Sequence, residues 1–506
     1  MNFIHKLTFQ INLVALAILA LCCISQIKAN IQNDDITYSI TIDFDNFKVA
    51  KVQVSFVPKD SILYMNVGAN NLEKRWATFI HNVKVINHIG KTIKVEELPD
   101  ANWKMHVSLT DKIVLTYDVH LDHENYEWNG GIDGAAYSTE LGVFYTGRAL
   151  LIMNGDNWGN ISVDFNLPAD WSVTTPWNRK INISHAFKVN NISELAYAMI
   201  FAGTHREVSV KRKDFELVFA LGSEEIITQE VEFRNLAEGV LDYYIDLMGG
   251  IPNPAPNNQF KKAVVVVSSG SSTDGEAIGN NISILIGKNG DQFSKTISRF
   301  IFAHEFFHLW NGKSINSIND NTEWFNEGFT NYYTLKALHQ VGFLTDDSYL
   351  DFLSNFFYQR YSNDNGVGKL SMINGGEKHN HWGLIYGGGM LIGISQDIII
   401  RNATNNEKSL DDLLRGLFKK YGGTNDSYTL EELHSMMSEL SGIDQTDFFN
   451  SYVIGANKIP IANYLTMAGL NAKVENGNLT ISKNEHETIE QHNIINGFFG
   501  QINTNQ

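Results

Sequence analysis

The 506-residue chain is predicted to be a multidomain α+β protein, and three observations support this prediction. The length is too great for one simple core, so two to four domains are expected. Hydrophobic residues make up 43% of the chain and charged residues 19%, as in ordinary globular proteins. The first part of the chain has strand-like alternation, whereas the later part has helical periodicity.

An antiparallel β-sandwich-like domain is predicted for residues 30–205. Val52, Val54 and Phe56 alternate with polar residues, and KIVLTYDVHL at 112–121 is another strand-like run. Asn, Gly and Asp separate these short runs. This spacing is typical of a sandwich of antiparallel strands.

Beyond residue 205 the pattern changes to mixed strands and helices. Residues 206–345 are predicted to form a core of strands and helices, residues 346–456 a helical domain, and residues 457–506 a short C-terminal extension. In the core, strands are expected at 215–220, 264–267 and 282–286, and one helix at 224–248.

The charge of the chain excludes one class of partner. Its formal net charge is −17 at pH 7. A nucleic-acid-binding protein normally has a basic patch or an elevated pI, so no nucleic-acid partner is expected. The charge suits a soluble secreted protein. No oligomeric state follows from it.

Residues 1–29 have the pattern of a secretory signal peptide. A short polar start containing Lys6 precedes an apolar run from Ile11 to Ile24, and Ile27-Lys28-Ala29 offers an imperfect cleavage site. The run is too short for a stable membrane span, and no later stretch is apolar enough for one. A secreted or periplasmic protein is therefore expected.

Both cysteines, Cys22 and Cys23, lie inside this signal segment. Anchoring by a lipid on Cys22 is disfavoured because the bulky Leu21 stands where a small residue is expected. A mature chain without cysteine forms no disulfide and has no thiol nucleophile. Any metal ion must therefore be held by histidines and carboxylates.

The central motif of the sequence is His-Glu-Phe-Phe-His at 304–308. A helix is predicted around it, because Asp291 can cap its start and apolar residues recur at helical spacing, with Gly312 as its stop. On a helix, the i, i+4 spacing points His304 and His308 the same way, so they can hold a zinc ion. The motif is expected in the middle of this helix.

A third ligand is expected because catalytic zinc usually takes three protein ligands and a water molecule. Glu327 is the candidate. It lies in a second predicted helix that is capped at 320–322 and stopped by Gly342, after a polar loop. An antiparallel helix pair would bring Glu327 beside both imidazoles. The alternative is two surface histidines on an amphipathic helix. It would require both the His-Glu-x-x-His motif and a Glu at the required later position to occur by chance.

Three further residues near the motif are candidates for supporting roles. Glu305 adjoins His304 without being placed to ligate, so it can act as general base and then general acid in hydrolysis; the alternative is a surface salt-bridging carboxylate. Glu323 and Asn326 can orient the imidazoles. Equally, each can be a helix N-terminal residue favoured by the helix dipole.

The wording HEFFHLWNGK and WFNEGFTNYY, with Glu327 nineteen positions after His308, resembles the gluzincin metallopeptidases. Within them it resembles the glycyl aminopeptidase family more than the related aminopeptidase N family. The resemblance implies a thermolysin-like zinc peptidase core with one Zn²⁺ per chain and a peptide or protein substrate. A PDZ-like domain often follows in that family, and the last 50 residues or so are too few to form one.

The resemblance also implies substrate-contacting residues. A Tyr in related gluzincins contacts the tetrahedral intermediate, and Tyr386 matches it, expected at the start of a helix; Gly388 replaces the family's Lys. In the family's Gly-rich edge a Glu binds the substrate amine. Aligned on Gly275, that Glu position falls on Ile278, and Glu276 is two residues away. Either Glu276 takes over amine recognition or that recognition is lost.

Three functions are open on these grounds. The first is a secreted zinc aminopeptidase that removes small N-terminal residues such as Gly or Ala, a preference implied wholly by the resemblance. The second is a zinc endopeptidase or oligopeptidase, favoured by Ile278. The third is a catalytically silent peptide-binding protein, disfavoured because His304, Glu305, His308 and Glu327 are all present.

Overall fold

A computed structural model of the protein describes residues 34–128, 131–256, 259–288 and 290–502. The predicted signal segment, 1–29, and both cysteines lie outside the described residues. Sheets dominate the first part of the described chain, and helices the last part. The predicted multidomain α+β class is therefore confirmed.

Three sheets form the N-terminal part of the molecule. Their strands are β1 (Asp35–Ile42), β2 (Val49–Phe56), β3 (Ile62–Tyr64), β4 (Ile80–Asn87), β5 (Thr92–Ile93), β6 (Val95–Leu98), β7 (Asn102–Met105), β8 (Ile113–His120), β9 (Ala136–Thr139), β10 (Gly142–Thr146), β11 (Asn160–Asn166), β12 (Ser172–Thr174), β13 (Asn178–Arg179), β14 (Ala186–Val189) and β15 (Met199–Gly203). The short helices α1 (Gly147–Leu150) and α2 (Ile192–Ala196) accompany them.

The strand orders are β13-β14-β11-β1-β2-β8-β4-β5, β12-β15-β10-β9 and β3-β7-β6. Most pairs are antiparallel, as predicted. However, β1 pairs with β11 in parallel. A long connection through nine other strands and α1 separates these two strands, so they do not have to run as a hairpin.

A second sheet unit carries the helix that contains the motif. Its strands are β16 (Arg206–Arg212), β17 (Phe215–Leu221), β18 (Lys262–Gly270), β19 (Asp274–Ile278) and β20 (Asn281–Gly287), in the order β16-β17-β18-β20-β19. Its helices are α3 (Glu224–Ile227), α4 (Glu230–Met248) and α5 (Gln292–Phe307). The single helix predicted at 224–248 is thus two helices. In the described part of the chain, β19 pairs with β20 alone, so β19 is an edge strand.

The N-terminal sheets and this sheet pack through a shared apolar cluster. The cluster consists of Tyr137, Phe144, Met199, Phe201, Ala220, Val264, Val266, Ile278 and Leu285, all buried. Since apolar burial is the main stabilising term in such contacts, the two units are fixed against each other. The edge strand β19 therefore has a fixed position relative to the N-terminal part.

The rest of the described chain is mainly helical. Its elements are α6 (Glu323–Gln340), α7 (Asp346–Phe352), α8 (Gln359–Asn363), α9 (Gly389–Ala403), α10 (Leu410–Tyr421), α11 (Leu430–Ser441), α12 (Thr446–Phe448), α13 (Ile461–Met467), the hairpin β21 (Asn471–Glu475) and β22 (Asn478–Ser482), and α14 (Ile489–Phe498). The π-helical turn Leu353–Tyr358 joins α7 to α8, and the π-helical turn Gly383–Gly388 leads directly into α9.

The helix α5 begins where the sequence predicts but ends earlier. The Asp291 side chain accepts a hydrogen bond from the Ser294 amide, which caps the helix. The helix ends at Phe307, because the Lys313 amide returns to the His308 carbonyl in a tight turn in which Gly312 has φ +130°. The motif therefore occupies the last turn of the helix, and the prediction that it lies in the middle is wrong.

Two glycines allow α6 to cross the segment around Tyr386 at very short range. A Cβ on Gly328 would lie 2.2 Å from the Gly389 carbonyl carbon, and a Cβ on Gly389 would lie 2.1 Å from the Trp324 carbonyl oxygen. No side chain fits between the two backbones. Because Glu327 precedes Gly328 and Tyr386 lies three residues before Gly389, this crossing brings both side chains to one place.

Among the described residues, one helical stretch, Gly383–Ala403, has the length and apolar composition of a membrane span, and 89% of its apolar 18-residue window is buried inside the protein. Its neighbours are the packed helices of the core. Burial in this core accounts for its composition.

Gly389→Ala is expected to destabilise the protein by about 1–3 kcal/mol, because the new methyl group overlaps the Trp324 carbonyl. The measurement is the free energy of unfolding in urea. Gly416→Ala is the matched control, since its Cβ meets only the flexible end of Met436, at 3.1 Å. The control is expected to be neutral or to stabilise by up to ~1 kcal/mol. Equal effects of the two substitutions would contradict the crossing described above.

Candidate metal centre and cleft

The structure brings His304, His308 and Glu327 together at the end of α5. The two imidazole Nε2 atoms lie 3.2 Å apart. Glu327 Oε2 lies 3.4 Å from Nε2 of His304 and 3.3 Å from Nε2 of His308. His304 and Glu327 are buried, and His308 is partly buried. Among the described residues, these are the three His, Cys, Asp or Glu side chains that lie close enough together to hold a metal ion.

The three distances between these donor atoms are those expected around a tetrahedral metal ion. Ligand atoms about 2.0–2.1 Å from the centre of a tetrahedron lie about 3.3–3.4 Å from one another. The observed separations of 3.2, 3.3 and 3.4 Å match this value. Two imidazole nitrogens and one carboxylate oxygen are also the donor set of many catalytic zinc sites. The residues therefore fit a tetrahedral divalent ion with one position left for water or substrate.

The environment of His308 prepares its Nε2 for a metal. Its Nδ1 lies 2.8 Å from the Asn311 carbonyl oxygen, which accepts a hydrogen bond only from a protonated Nδ1. In the neutral imidazole, Nε2 then carries the free lone pair. Burial lowers the pKa of His308, but the hydrogen bond and charge of Glu327 raise it to about 9. His304 differs, because its buried Nδ1 has no hydrogen-bond partner among the described residues.

Glu327 is held from its other side by Lys378. The Lys378 ammonium lies 2.9 Å from Glu327 Oε1 and 2.6 Å from Glu323 Oε2. Burial lowers the pKa of Lys378, but the two carboxylates raise it well above its usual value, so Lys378 is charged. One carboxylate oxygen of Glu327 thus faces the imidazoles and the other faces a cation. Sequence analysis missed Lys378, since no local spacing links it to Glu327.

Glu323 and Asn326 do not orient the imidazoles in the way that the sequence suggested. Glu323 pairs with Lys378 and so acts on Glu327. Asn326 Oδ1 is buried without a hydrogen-bond partner among the described residues, near the turn at Gly312. The group that fixes His308 is the backbone carbonyl of Asn311, which a sequence pattern does not reveal.

Glu305 and Tyr386 flank the three ligand candidates. Glu305 is partly exposed on α5, and its charge contributes to the raised pKa of both His308 and Tyr386. Burial raises the pKa of Tyr386 well above its usual value, and the charge and hydrogen bond of Glu327 add to this effect. The Tyr386 hydroxyl therefore stays protonated and can donate a hydrogen bond.

Tyr386 lies inside a helix rather than at its start, which corrects the predicted position. It belongs to the π-helical turn Gly383–Gly388, which continues directly into α9. Its ring stacks 6.4 Å from the His304 ring and 5.0 Å from the Trp382 ring. Such π-helical turns often occur at functional sites because they change the direction of a side chain.

The edge strand β19 runs beside the motif helix. A Cβ on Gly275 would lie 2.6 Å from a methyl group of Ile301, one helical turn before Glu305. Glu276 forms an ion pair with Arg148 at 3.0 Å, with 27% and 20% of the two side chains exposed. Ile278 is buried in the apolar cluster between the two sheet units. No carboxylate therefore stands at position 278, and that of Glu276 is already paired.

A buried carboxyl group, Asp133, lies next to this strand. Neither of its oxygens has a hydrogen-bond partner among the described residues. A Cβ on Gly131 would be close to oxygens of both Asp133 and Asp274. Burial raises the pKa of Asp133 to about 8, and the charges of Asp274 and Glu276 contribute. Asp133 is therefore largely protonated at neutral pH.

A polar cavity of about 450 Å³ lies behind the metal-ligand candidates. Its lining includes Glu323, Asn326, Lys378 and His379. Glu323 and Lys378, which form an ion pair with each other, border the cavity, and Lys378 also pairs with Glu327.

Comparison with known proteins gives two family matches and a structural likeness. The family described as M61 glycyl aminopeptidase matches residues 298–383, and the peptidase M61 N-terminal domain matches residues 72–203. A crystal structure of an aminopeptidase N family protein from Idiomarina loihiensis is similar in fold, with a TM-score of 0.70 and 17% sequence identity. The alignment covers 87% of this chain and 79% of that chain. A search of curated proteins gave no match.

The contribution of Asp133 to the stability of the protein is expected to fall as the pH rises from about 4 to about 8. The unfolded chain releases this proton near its ordinary pKa of 3.8, whereas the folded chain keeps it up to about 8. The contribution is therefore fully present below pH 4 and lost as the pH approaches 8.

Asp133→Asn removes the ionisable group, so the unfolding free energy at pH 8 minus that at pH 5 should be more positive than in the wild type by at least ~1 kcal/mol. Urea unfolding at the two pH values measures it. Asp45→Asn, at an exposed position, is the control and should behave as the wild type. An unchanged pH slope in Asp133→Asn would show that Asp133 is ionised in the folded protein.

Proposed function

Because the chain belongs to the M61 glycyl aminopeptidase family of peptidases, we propose that it is a zinc-dependent aminopeptidase that removes small residues such as Gly or Ala from peptides. The observation that carries the proposal is the convergence of His304, His308 and Glu327 at the separations of a tetrahedral metal site. The preference for small residues follows the name of the family.

Zinc bound by these three side chains would supply a water molecule of lowered pKa and polarise the scissile carbonyl. The protein supplies the proton transfers. Glu305 is the group positioned to take a proton from the attacking water and to give it to the leaving amine. Its partial exposure at the end of α5 keeps it accessible from the cleft.

Tyr386 is the second group that acts on the substrate. Its protonated hydroxyl can donate a hydrogen bond to the carbonyl oxygen as negative charge develops there. The position of Tyr386, whose ring stacks 6.4 Å from that of His304, supports this role. Lys378 has a different role, because it pairs with Glu327 and Glu323 and so holds the Glu327 carboxylate in place.

An endopeptidase or oligopeptidase is the second candidate, and one observation favours it. The position expected to bind the substrate amine is occupied by Ile278, which is 4% exposed and packed in an apolar cluster. Glu276 is paired with Arg148. A free amine consequently lacks an unpaired carboxylate at that point of the edge strand, and a peptide without a free amine would bind equally well.

Secretion is part of the proposal. It rests on the signal-like residues 1–29, whose apolar run from Ile11 to Ile24 is too short to span a bilayer. Export into the medium or the periplasm would bring the enzyme to extracytoplasmic peptides. Detection of a mature N-terminus near residue 30 in the exported protein would support it.

The decisive experiment compares a peptide reporter with a free N-terminal Gly and its N-acetylated form. The zinc-loaded wild type is expected to hydrolyse the free form, to reject the acetylated form and to lose activity with a chelator. Glu305→Gln should retain zinc and lose at least ~100-fold in kcat. Glu439→Gln, at an exposed carboxylate on α11, is the matched control and should keep full activity.

The outcomes separate the candidates. Equal hydrolysis of the free and acetylated reporters, with chelator sensitivity, supports the endopeptidase and rejects the aminopeptidase. Full activity after chelation, or in Glu305→Gln, rejects the zinc mechanism. A zinc-loaded wild type that hydrolyses no peptide supports the silent binding protein.

A further inference from the structure

The two oxygens of the Glu327 carboxylate have different partners. The Lys378 ammonium nitrogen lies 2.9 Å from Glu327 Oε1 and 2.6 Å from Glu323 Oε2. Glu327 Oε2 instead faces the two imidazoles, at 3.4 Å and 3.3 Å from their Nε2 atoms. Oε2 is therefore the oxygen that can bind an ion between the imidazoles, while Oε1 is held by the ammonium.

The turn that carries Lys378 fixes the position of this ammonium. The Lys378 amide donates a hydrogen bond to the Gly375 carbonyl oxygen and closes a 3-10 turn. A Cβ on Gly375 would lie 1.9 Å from the Asp320 carbonyl oxygen and 2.8 Å from Glu323 Cβ, so only glycine lets this turn pack against the start of α6. Lys378 thereby reaches Glu323 and Glu327, which are one helical turn apart on α6.

The contact between Lys378 and Glu327 is costly to break. The exposed fractions of the side chains are 25% for Lys378, 18% for Glu323 and 7% for Glu327. A hydrogen bond between an ammonium and a carboxylate is stronger than one between neutral groups, and low exposure limits the competition from water. Turning Oε1 away from Lys378 would leave a poorly solvated cation with one carboxylate partner in place of two.

A carboxylate without such a partner can bind one ion through both oxygens. Calcium sites use bidentate carboxylates in this way, and large ions that prefer many oxygen ligands gain from the second oxygen. At this site, both oxygens of Glu327 and the two imidazole nitrogens would make four protein donor atoms. A four-coordinate ion would then have no position left for the water that catalytic zinc activates.

We propose that Lys378 is a positioning residue that restricts Glu327 to one metal-bound oxygen, and that it thereby keeps the site four-coordinate and selective for zinc over manganese. This inference rests on the metal centre of the proposed function. It assigns to Lys378 the choice of coordination number and of ion, which the three ligands alone leave open.

Zinc and manganese respond differently to this restriction. Zinc is commonly four-coordinate with nitrogen and oxygen ligands. Manganese favours octahedral sites rich in oxygen, so the loss of a second carboxylate oxygen penalises manganese more than zinc. The positive charge of the ammonium repels both divalent ions alike, and its electrostatic effect therefore cancels in the ratio of the two affinities.

The coordination number is measured with Co²⁺, because the visible absorption of this ion is strong with four ligands and weak with five or six. The cobalt-loaded wild type is expected to give the strong four-coordinate spectrum. Lys378→Met keeps the length of the side chain and removes the ammonium, so Glu327 Oε1 can join the ion. The absorption of this variant should fall to that of a five-coordinate ion.

Two further variants separate the role of the cation from a general effect of substitution. Lys378→Arg keeps a cation with several donors, and the cavity of about 450 Å³ beside Lys378 has room for the larger group, so it should retain the four-coordinate spectrum. Lys48→Met in the N-terminal part is the matched control, because Lys48 Nζ also lies 2.9 Å from a carboxylate oxygen, that of Glu124. It should keep the wild-type spectrum.

Calorimetry of the metal-stripped protein measures the selectivity as the ratio of the dissociation constants for manganese and zinc. In Lys378→Met this ratio should fall by about 10-fold or more, a usual size for the loss of a group that holds a metal ligand. Lys378→Arg and Lys48→Met should keep the wild-type ratio. Lys378→Ala gives the same test as Lys378→Met where the methionine side chain impairs folding.

The outcomes separate this inference from the proposed function. A five-coordinate spectrum in the wild type overturns the inference, and so does an unchanged spectrum or an unchanged ratio in Lys378→Met. Zinc-dependent peptide hydrolysis by the same wild type would leave the proposed function standing. A wild type with the expected spectrum and ratio that hydrolyses no peptide refutes the proposed function alone. A wild type that binds neither cobalt nor zinc overturns both.

Discussion

The arrangement of the candidate metal site depends on the position of one carboxylate oxygen, that of Glu327 Oε2. Glu327 Oε2 stands 3.4 Å and 3.3 Å from two imidazole nitrogens that belong to a different helix. This placement depends on the backbone contact between Gly328 and Gly389 and on Lys378, which holds the second oxygen. Three positive or potentially positive groups thus surround one buried anion. A divalent ion held by His304, His308 and Glu327 would take the place of any Nε2 protons of the two imidazoles, whereas Lys378 would keep its charge.

The close crossing at Gly328 and Gly389 also explains why Tyr386 lies near Glu327. A side chain at Gly328 or Gly389 would force the two backbones apart. With glycine at both positions, the π-helical turn around Tyr386 comes next to Glu327, and its hydroxyl remains protonated in this buried setting. The positions of Glu327 and Tyr386 therefore depend on the same backbone contact.

The sequence predicted those parts of the site that depend on the spacing of residues close together in the chain. The i, i+4 histidines and the cap at Asp291 depend only on helix geometry, and the family indicated by the wording around Glu327 is confirmed. Lys378 and Asp133 depend on tertiary contacts between segments far apart in the chain, so no local pattern marks them. The early end of α5 depends on a backbone hydrogen bond from Lys313 to His308, which residue types do not reveal.

The two sides of the cleft differ in a way that bears on the reaction. Along β19, Ile278 faces the apolar contact with the N-terminal sheets, and Glu276 is neutralised by Arg148. Along α5, apolar side chains lead away from Glu305 and are open to solvent. The edge-strand side therefore carries a paired carboxylate and a buried apolar residue, whereas the α5 side carries partly exposed apolar side chains.

The most direct measurement is the zinc stoichiometry and affinity of the metal-stripped protein, by competition with a chromophoric chelator, for the wild type and Glu327→Gln. The account predicts one zinc per wild-type chain and an affinity at least ~100-fold weaker in Glu327→Gln, because one of three ligands has lost its charge. A wild type that binds no zinc, or a Glu327→Gln variant that binds it as tightly, would contradict the account.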